Sequence, residues 1–187
     1  MVLTDTEVFW QIEKAHSEIG FKVGNLLISD IFGQFKDYTA KICTQGHDFT
    51  KSKIHFYLDP KSLETEDENL TNHLIGPDFF DTDCYNEIRF ISYSLEKIKN
   101  SKHFQLTGIL TIKGISKVIK LVIEFGGIHI NKLGIRKAGF IVRGHIFRKD
   151  WGLIWDSLLE TGGVLVGDKV DILCELEVSQ EKNEEID

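Results

Sequence analysis

The sequence predicts a mainly all-β, antiparallel domain on three observations. Apolar and polar residues alternate with period two, as where Ile119, Leu121, Ile123 and Phe125 fall on one face and Lys120 and Glu124 on the other. Glycines at 114, 126, 127, 162, 163 and 167 punctuate the alternating stretches as turns. At 187 residues with 42% hydrophobic and 27% charged content, the chain suffices for one well-buried core.

Taken in chain order, Ile19, Phe21 and Val23 interleave with Glu18, Gly20 and Lys22 as a first half-buried strand. Residues 32 to 42 suggest another, and Ile54, Phe56 and Leu58 a shorter copy of the pattern. Between 58 and 81 the alternation fails; Leu70 and Leu74, at i and i+4, predict a short amphipathic helix over 66–75. Strands follow near 87–95, 104–113, 119–125 and 137–147. In DWGLIWDSLL, residues 150–159, Asp150 is expected to cap a helix carrying Trp151 and Trp155 on one stripe. Val170, Ile172, Cys174, Leu176 and Val178 then alternate with Asp171, Glu175 and Glu177 in a last strand. About eight strands result, several near 9 to 11 residues, which suits a closed barrel or a deep sandwich better than a small open sheet. The expected organisation is a single domain over 8–180 and a flexible acidic tail over 181–187.

With 29 acidic against 22 basic residues the net charge is −7, which disfavours a nucleic-acid partner. Cys43, Cys84 and Cys174 are odd in number, far apart and without CxxC spacing, so free and mostly buried thiols are expected. The first residues, MVLTDTEVFWQIEKAH, hold no signal-peptide core, and a cytoplasmic location is the expectation. No apolar run approaches the ~20 residues of a membrane span, so no integral membrane segment is expected.

Enzyme readings find little local support. The seven histidines form no HxH, HxxxH or HExxH arrangement, so no metal is expected. There is no GxSxG elbow, and GGVLVGDK at 162–169 lacks phosphate-loop spacing. His16 and Ser17 are adjacent on a predicted strand and point to opposite faces, which defeats a base and nucleophile pair. No catalytic residue and no cofactor is assigned.

Several blocks occur in a recognisable order: Trp10, Glu13, His16, Ser17, Phe21, Val23, Gly33 and Phe35; then HLIGPDFFD at 73–81, YNEIRF at 85–90, LTGILTIKGISK at 106–117 and FRKDWGL at 147–153. Together they resemble the YceI-like family of polyisoprenoid-binding proteins over about residues 9–179. Glu13, Asn25 and Asn86 depart from residues common in that family. The resemblance implies an extended, lipocalin-like antiparallel β-barrel with short helical insertions. Its apolar interior is expected to hold a long isoprenoid chain, as in a polyprenyl phosphate or an isoprenoid quinone, for carriage, storage or shielding without chemistry. A homodimer is an expectation from the resemblance alone.

On this reading the tail contacts are expected among Phe21, Val23, Phe32, Phe35, Leu110 and Phe140 on strands. Leu74, Phe79 and Phe80 would act as a lid over one end, and Trp151 and Trp155 as an aromatic wall. An anionic head would look to Arg148, with Arg143, Lys113 and Lys117 near strand ends; a quinone head needs only donors such as His16, Ser17 or Asn25. The rival from another class is a protein-interaction module whose lumen is filled by its own side chains. A third is a small-molecule enzyme, which a cluster of titratable groups in the tunnel would distinguish.

Overall fold

A computed structural model of the chain describes residues 7–25, 30–155 and 166–181. Its elements are β1 (Glu7–Ile12), β2 (Glu18–Asn25), β3 (Ile31–Phe35), β4 (Tyr38–Gln45), β5 (Asp48–Leu58), β6 (Leu63–Thr65), α1 (Glu68–Ile75), β7 (Ile88–Lys97), β8 (His103–Ile112), β9 (Ile115–Ile130), β10 (Arg136–Phe147) and β11 (Val166–Gln180). Strands β1, β4, β5, β7, β8, β9, β10 and β11 pair in that order, and β1 closes the ring by pairing with β11. All pairings are antiparallel, so the structure is a closed barrel without a free edge at the seam.

Three staves of the barrel are broken near mid-length. β2 continues β1 after a 3₁₀ turn at Lys14–His16, β4 continues β3 after Lys36 and Asp37, and β6 continues β5 after a turn at Pro60–Ser62. β2 therefore pairs with the first part of β11, β3 with β2, and β6 with β3. The strand expected over 32–42 is thus two strands, because the chain changes direction at Lys36 and Asp37, whose amides meet Ser62 Oγ at 3.1 and 2.9 Å.

Inward residues follow the alternation in the sequence. Ile119, Leu121 and Ile123 are all buried, as are Cys174 and Val178. Close packing uses glycine where a ring must pass: a Cβ on Gly33 would lie 2.4 Å from Phe21 Cζ, and one on Gly108 would lie 2.4 Å from Phe90 Cζ. Gly33 and Phe21 are register partners, so the missing side chain makes the space for the ring.

One end of the barrel is plugged. Trp10, Ile42, Ala138 and Val178 form a second buried cluster there, with Phe49, Phe125 and Phe140 against it. Phe49 lies 4.8 Å from Trp10 and 4.9 Å from Phe140 between ring centroids, and Phe125 lies 5.2 Å from Phe140. The Trp10 indole N–H, which burial would otherwise strand, donates to Thr44 Oγ1 at 2.9 Å.

The other end carries the insertion. The helix expected over 66–75 is observed as α1, and the Asp67 carboxylate caps it by accepting from the amides of Asn69 and Leu70. The helix expected over 150–159 is not observed in its described part: Arg148–Trp151 is a 3₁₀ turn whose Lys149 amide donates to Asp168 Oδ1 at 3.1 Å, and Gly152 at φ 71 ends it. Residues 153–155 are irregular, and 156–159 lie outside the described residues, as do 182–187 of the expected acidic tail. Asp150 instead pairs with Lys117 at 3.2 Å. Cysteine burial is mixed: Cys174 is buried, Cys43 half-buried and Cys84 exposed, so the expectation of mostly buried thiols fails at Cys84.

Candidate ligand-binding site

The barrel encloses a cavity of about 250 Å³ that extends from the aromatic plug to the lid. Its wall is apolar apart from backbone, Ser52, Cys174 and Arg148. The period-two strands explain the wall: each stave gives alternate side chains to the interior, and the volume they leave unfilled is the cavity.

Of the residues expected to touch a tail, Phe21, Val23, Phe35, Leu74, Phe79, Phe80, Leu110, Phe140 and Trp155 line the cavity. Phe32 and Trp151 do not. Phe32 is 51% exposed on the outer face of β3, because it lies three positions from Phe35 and strand neighbours at odd spacing face opposite ways. Trp151 is 1% exposed but sits behind the wall, its indole N–H donating to the Leu110 carbonyl at 3.2 Å. With no helix joining them, Trp151 and Trp155 share no stripe; the Trp155 ring lies 4.2 Å from that of His73 of α1, tilted by 56°, and faces the cavity.

The lid is held from both sides. Phe79 and Phe80 are buried, Phe80 meeting Phe35 at 6.1 Å across the opening. The Phe80 amide donates to the Leu74 carbonyl at 3.0 Å, folding the segment back onto α1. Lys113, at the β8–β9 turn, donates from Nζ to the Phe79 carbonyl at 2.7 Å. It is therefore a fastening of the lid.

Among the described head-group candidates, Arg148 alone lines the cavity. It is 1% exposed, and its guanidinium donates to the carbonyls of Gly167 (2.9 Å), Leu153 (2.6 Å), Trp155 (2.9 Å) and Val166 (3.2 Å). The planar fork thus joins the segment after β10 to the start of β11. His16 and Ser17 lie at the break between β1 and β2. His16 Nδ1 is 2.9 Å from Glu177 Oε1, while Ser17 Oγ accepts from the Glu177 amide at 3.0 Å. Both fasten the broken stave to β11 and neither lines the cavity. The side chain of Asn25 lies outside the described residues.

Ser52 was not legible in advance. Its Oγ is buried without a protein hydrogen-bond partner, and the residue faces the cavity from β5. Titratable chemistry is otherwise sparse inside: burial pushes the Cys174 thiol up to about 12, so it stays protonated. Among the described residues no three His, Cys, Asp or Glu side chains gather as a metal site. No helix there is long and apolar enough to cross a membrane.

A closed antiparallel barrel with an apolar interior cavity, one end plugged and the other lidded, defines a class of binding barrels. The family to which this one belongs is shown by comparison: residues 10–178 match the YceI-like domain, and the chain is a member of that family. It is 33% identical over 171 residues to a UPF0312 protein of Staphylococcus epidermidis, covering 91% of this chain and 96% of that one. A Campylobacter jejuni YceI protein of known structure is 34% identical, with 91% and 96% of the chains covered and a TM-score of 0.70. A polyisoprenoid binding domain from Saccharophagus degradans, implicated in plant cell wall breakdown, shares the fold at 12% identity, with a TM-score of 0.64 over 92% and 98% of the chains.

Proposed function

We propose that the barrel binds a long, apolar, isoprenoid-type lipid in its interior, for carriage, storage or shielding, and performs no chemistry on it. The observation that carries this reading is the unfilled apolar cavity between plug and lid. At the ~30 Å³ that a water takes in the liquid, 250 Å³ is room for roughly eight waters, a space that an apolar chain segment can fill. Family membership supports the same reading, as does the polyisoprenoid binding domain that shares the fold. The same cavity speaks against a protein-interaction module with a filled lumen.

The driving force is desolvation, on the order of 0.8 kcal/mol per CH₂ buried before ordering costs are subtracted. Affinity should therefore rise with chain length at constant head group. The charge around the lid favours a neutral head such as a quinone over a phosphate. Glu66, Asp67, Glu68 and Asp78 are exposed there, Glu64 and Asp83 are exposed but paired with Lys36 and Lys61 at 3.6 Å, and Arg148 is already engaged by four carbonyls.

Native mass spectrometry and solvent extraction of freshly purified protein test the proposal, with a co-purifying prenyl lipid as the expected result. Repeated recovery of an empty barrel, or equal affinity for short and long prenyl chains with one head group, would overturn it. A prenyl phosphate that binds more tightly than the quinone of equal tail length would reverse the head-group assignment.

A further inference from the structure

Within a net charge of −7, the described residues spread their charge unevenly along the barrel axis. The lid end carries the acidic insertion, whereas two connections at the plug end carry cations. The β7–β8 turn runs from Lys97 through Lys99 and Lys102 to His103 without a carboxylate. From Phe125 to Lys149, a stretch that includes the β9–β10 hairpin, the sequence again has no Asp or Glu. Among the described residues the exposed carboxylates near this end are Glu7 on β1, Asp48 at the β4–β5 turn, Glu96, Glu124 opposite His103, and Glu181 after β11, where the sequence goes on to Glu184, Glu185 and Asp187.

The same hairpin holds the most exposed large apolar side chain among the described residues, Leu133, at 81%, together with Ile130 at 59% and Ile128 at 37%. Its turn is built to hold that display. Asn131 Oδ1 accepts from the amides of Leu133 (2.9 Å) and Ile135 (3.0 Å), and Gly134 takes φ 77 to complete the reversal. Lys132 is exposed beside Leu133, and Arg136 sits opposite Ile130 in register. β9 runs on for six residues past its last pairing with β8, Glu124 with His103, so the tip stands clear of that neighbour.

From this arrangement we propose that the β9–β10 hairpin docks the barrel, plug end down, on a bilayer surface that carries anionic lipid. Aliphatic side chains flanked by lysine and arginine suit the headgroup boundary, where apolar burial and attraction to anionic lipid add. Three aliphatic side chains on a hairpin tip are few for a protein interface of roughly 800 Å² per partner, but a bilayer contact needs no complementary shape. The acidic lid end, repelled by the same surface, would face away from it. Docking goes beyond tail binding, since an empty barrel carries the same hairpin, and the two are read by different measurements.

The test is co-sedimentation of the full chain with vesicles of phosphatidylcholine alone and of phosphatidylcholine with phosphatidylglycerol. Binding is expected to the anionic vesicles only, and to weaken as salt is raised. Leu133→Asp with Ile130→Asp should lower the bound-to-free ratio at least tenfold, and Lys132→Glu should lower it several-fold. Glu66→Lys at the lid end serves as the control and should not lower it. Retained prenyl-lipid binding and an unchanged melting temperature in the hairpin variants would show that docking alone was lost. Absence of binding by the unaltered chain, or binding indifferent to the hairpin changes, overturns the proposal. So does a self-associated chain that fails to bind vesicles and that Leu133→Asp turns into monomers.

Discussion

At the scale of single residues, Arg148 shows what a sequence can and cannot reveal. Its block, FRKDWGL, marks it as unusual, but a head-group contact and a backbone fastener look alike in one dimension. In the structure it donates to four carbonyls from a 1% exposed position, a geometry lysine cannot copy with one ammonium. Arg148→Lys is therefore expected to destabilise the barrel by ~2–4 kcal/mol in urea unfolding, since several buried carbonyls lose their donors. Phe32 was misplaced for a simpler reason: Phe32 and Phe35 cannot share one face of a strand, and alternation alone was sufficient to separate them. The cysteines give a second residue-level prediction. Cys84 is exposed but its thiol is held above its usual range, first by a hydrogen bond to Asp81, while Cys174 is pushed up by burial. Thiol titration at mildly alkaline pH should label Cys84 first and spare Cys174 until the protein unfolds, and Asp81→Asn should speed labelling at Cys84.

At the scale of elements, the long unbroken strands were legible and the interruptions were not. β8, β10 and most of β9 and β11 follow plain alternation, which a buried inner face and a solvated outer face impose, whereas Gly126, Gly127 and Gly167, read as turns, lie inside β9 and β11 where the register shifts. The breaks at Lys14–His16, at Lys36 and Asp37, and at Pro60–Ser62 depend on partners far away in sequence, as where Ser17 meets Glu177. That joint should respond to acid. Lys137 Nζ lies 2.7 Å from Glu177 Oε1, and this hydrogen bond, with His16 helping, holds the Glu177 carboxyl below its ordinary value of 4.5. A depressed folded-state value means that the stabilisation is complete above 4.5 and is lost as pH falls through the depressed value. Glu177→Gln should flatten the loss of stability below pH 4.5 and have its largest cost at neutral pH, as read from denaturation midpoints across pH. In the lid, the spacing of Leu70 and Leu74 predicts α1, whereas its cap, Asp67, is one of four acids between 64 and 68 and the spacing does not single it out. Asp67→Ala should cost about 1 kcal/mol locally and quicken ligand exchange, observable as faster amide exchange over 68–75.

At the scale of the whole molecule, the cavity is the feature that sequence could not provide. Each of its wall residues reads as ordinary core, and whether opposite walls touch depends on the number, tilt and stagger of the staves. An occupied cavity should also be the more stable state. Ligand at a hundredfold excess over its dissociation constant adds ~2.7 kcal/mol, which for a domain of this size raises the melting temperature by roughly 5–10 °C. Exhaustive lipid extraction should lower the melting temperature by a comparable amount, and adding back the extract should restore it.

The closing strand bears on how the protein is made. β11 pairs with β1, β2 and β10, so strands made early in synthesis wait for one made much later. During translation the N-terminal staves hold half a barrel with its greasy side unsheltered and one seam missing. The ring cannot shut until Val166–Gln180 has left the ribosome, so the ligand-competent form waits for that strand. A nascent chain stalled before that strand emerges should be cut readily by protease, while one stalled with the strand clear should resist.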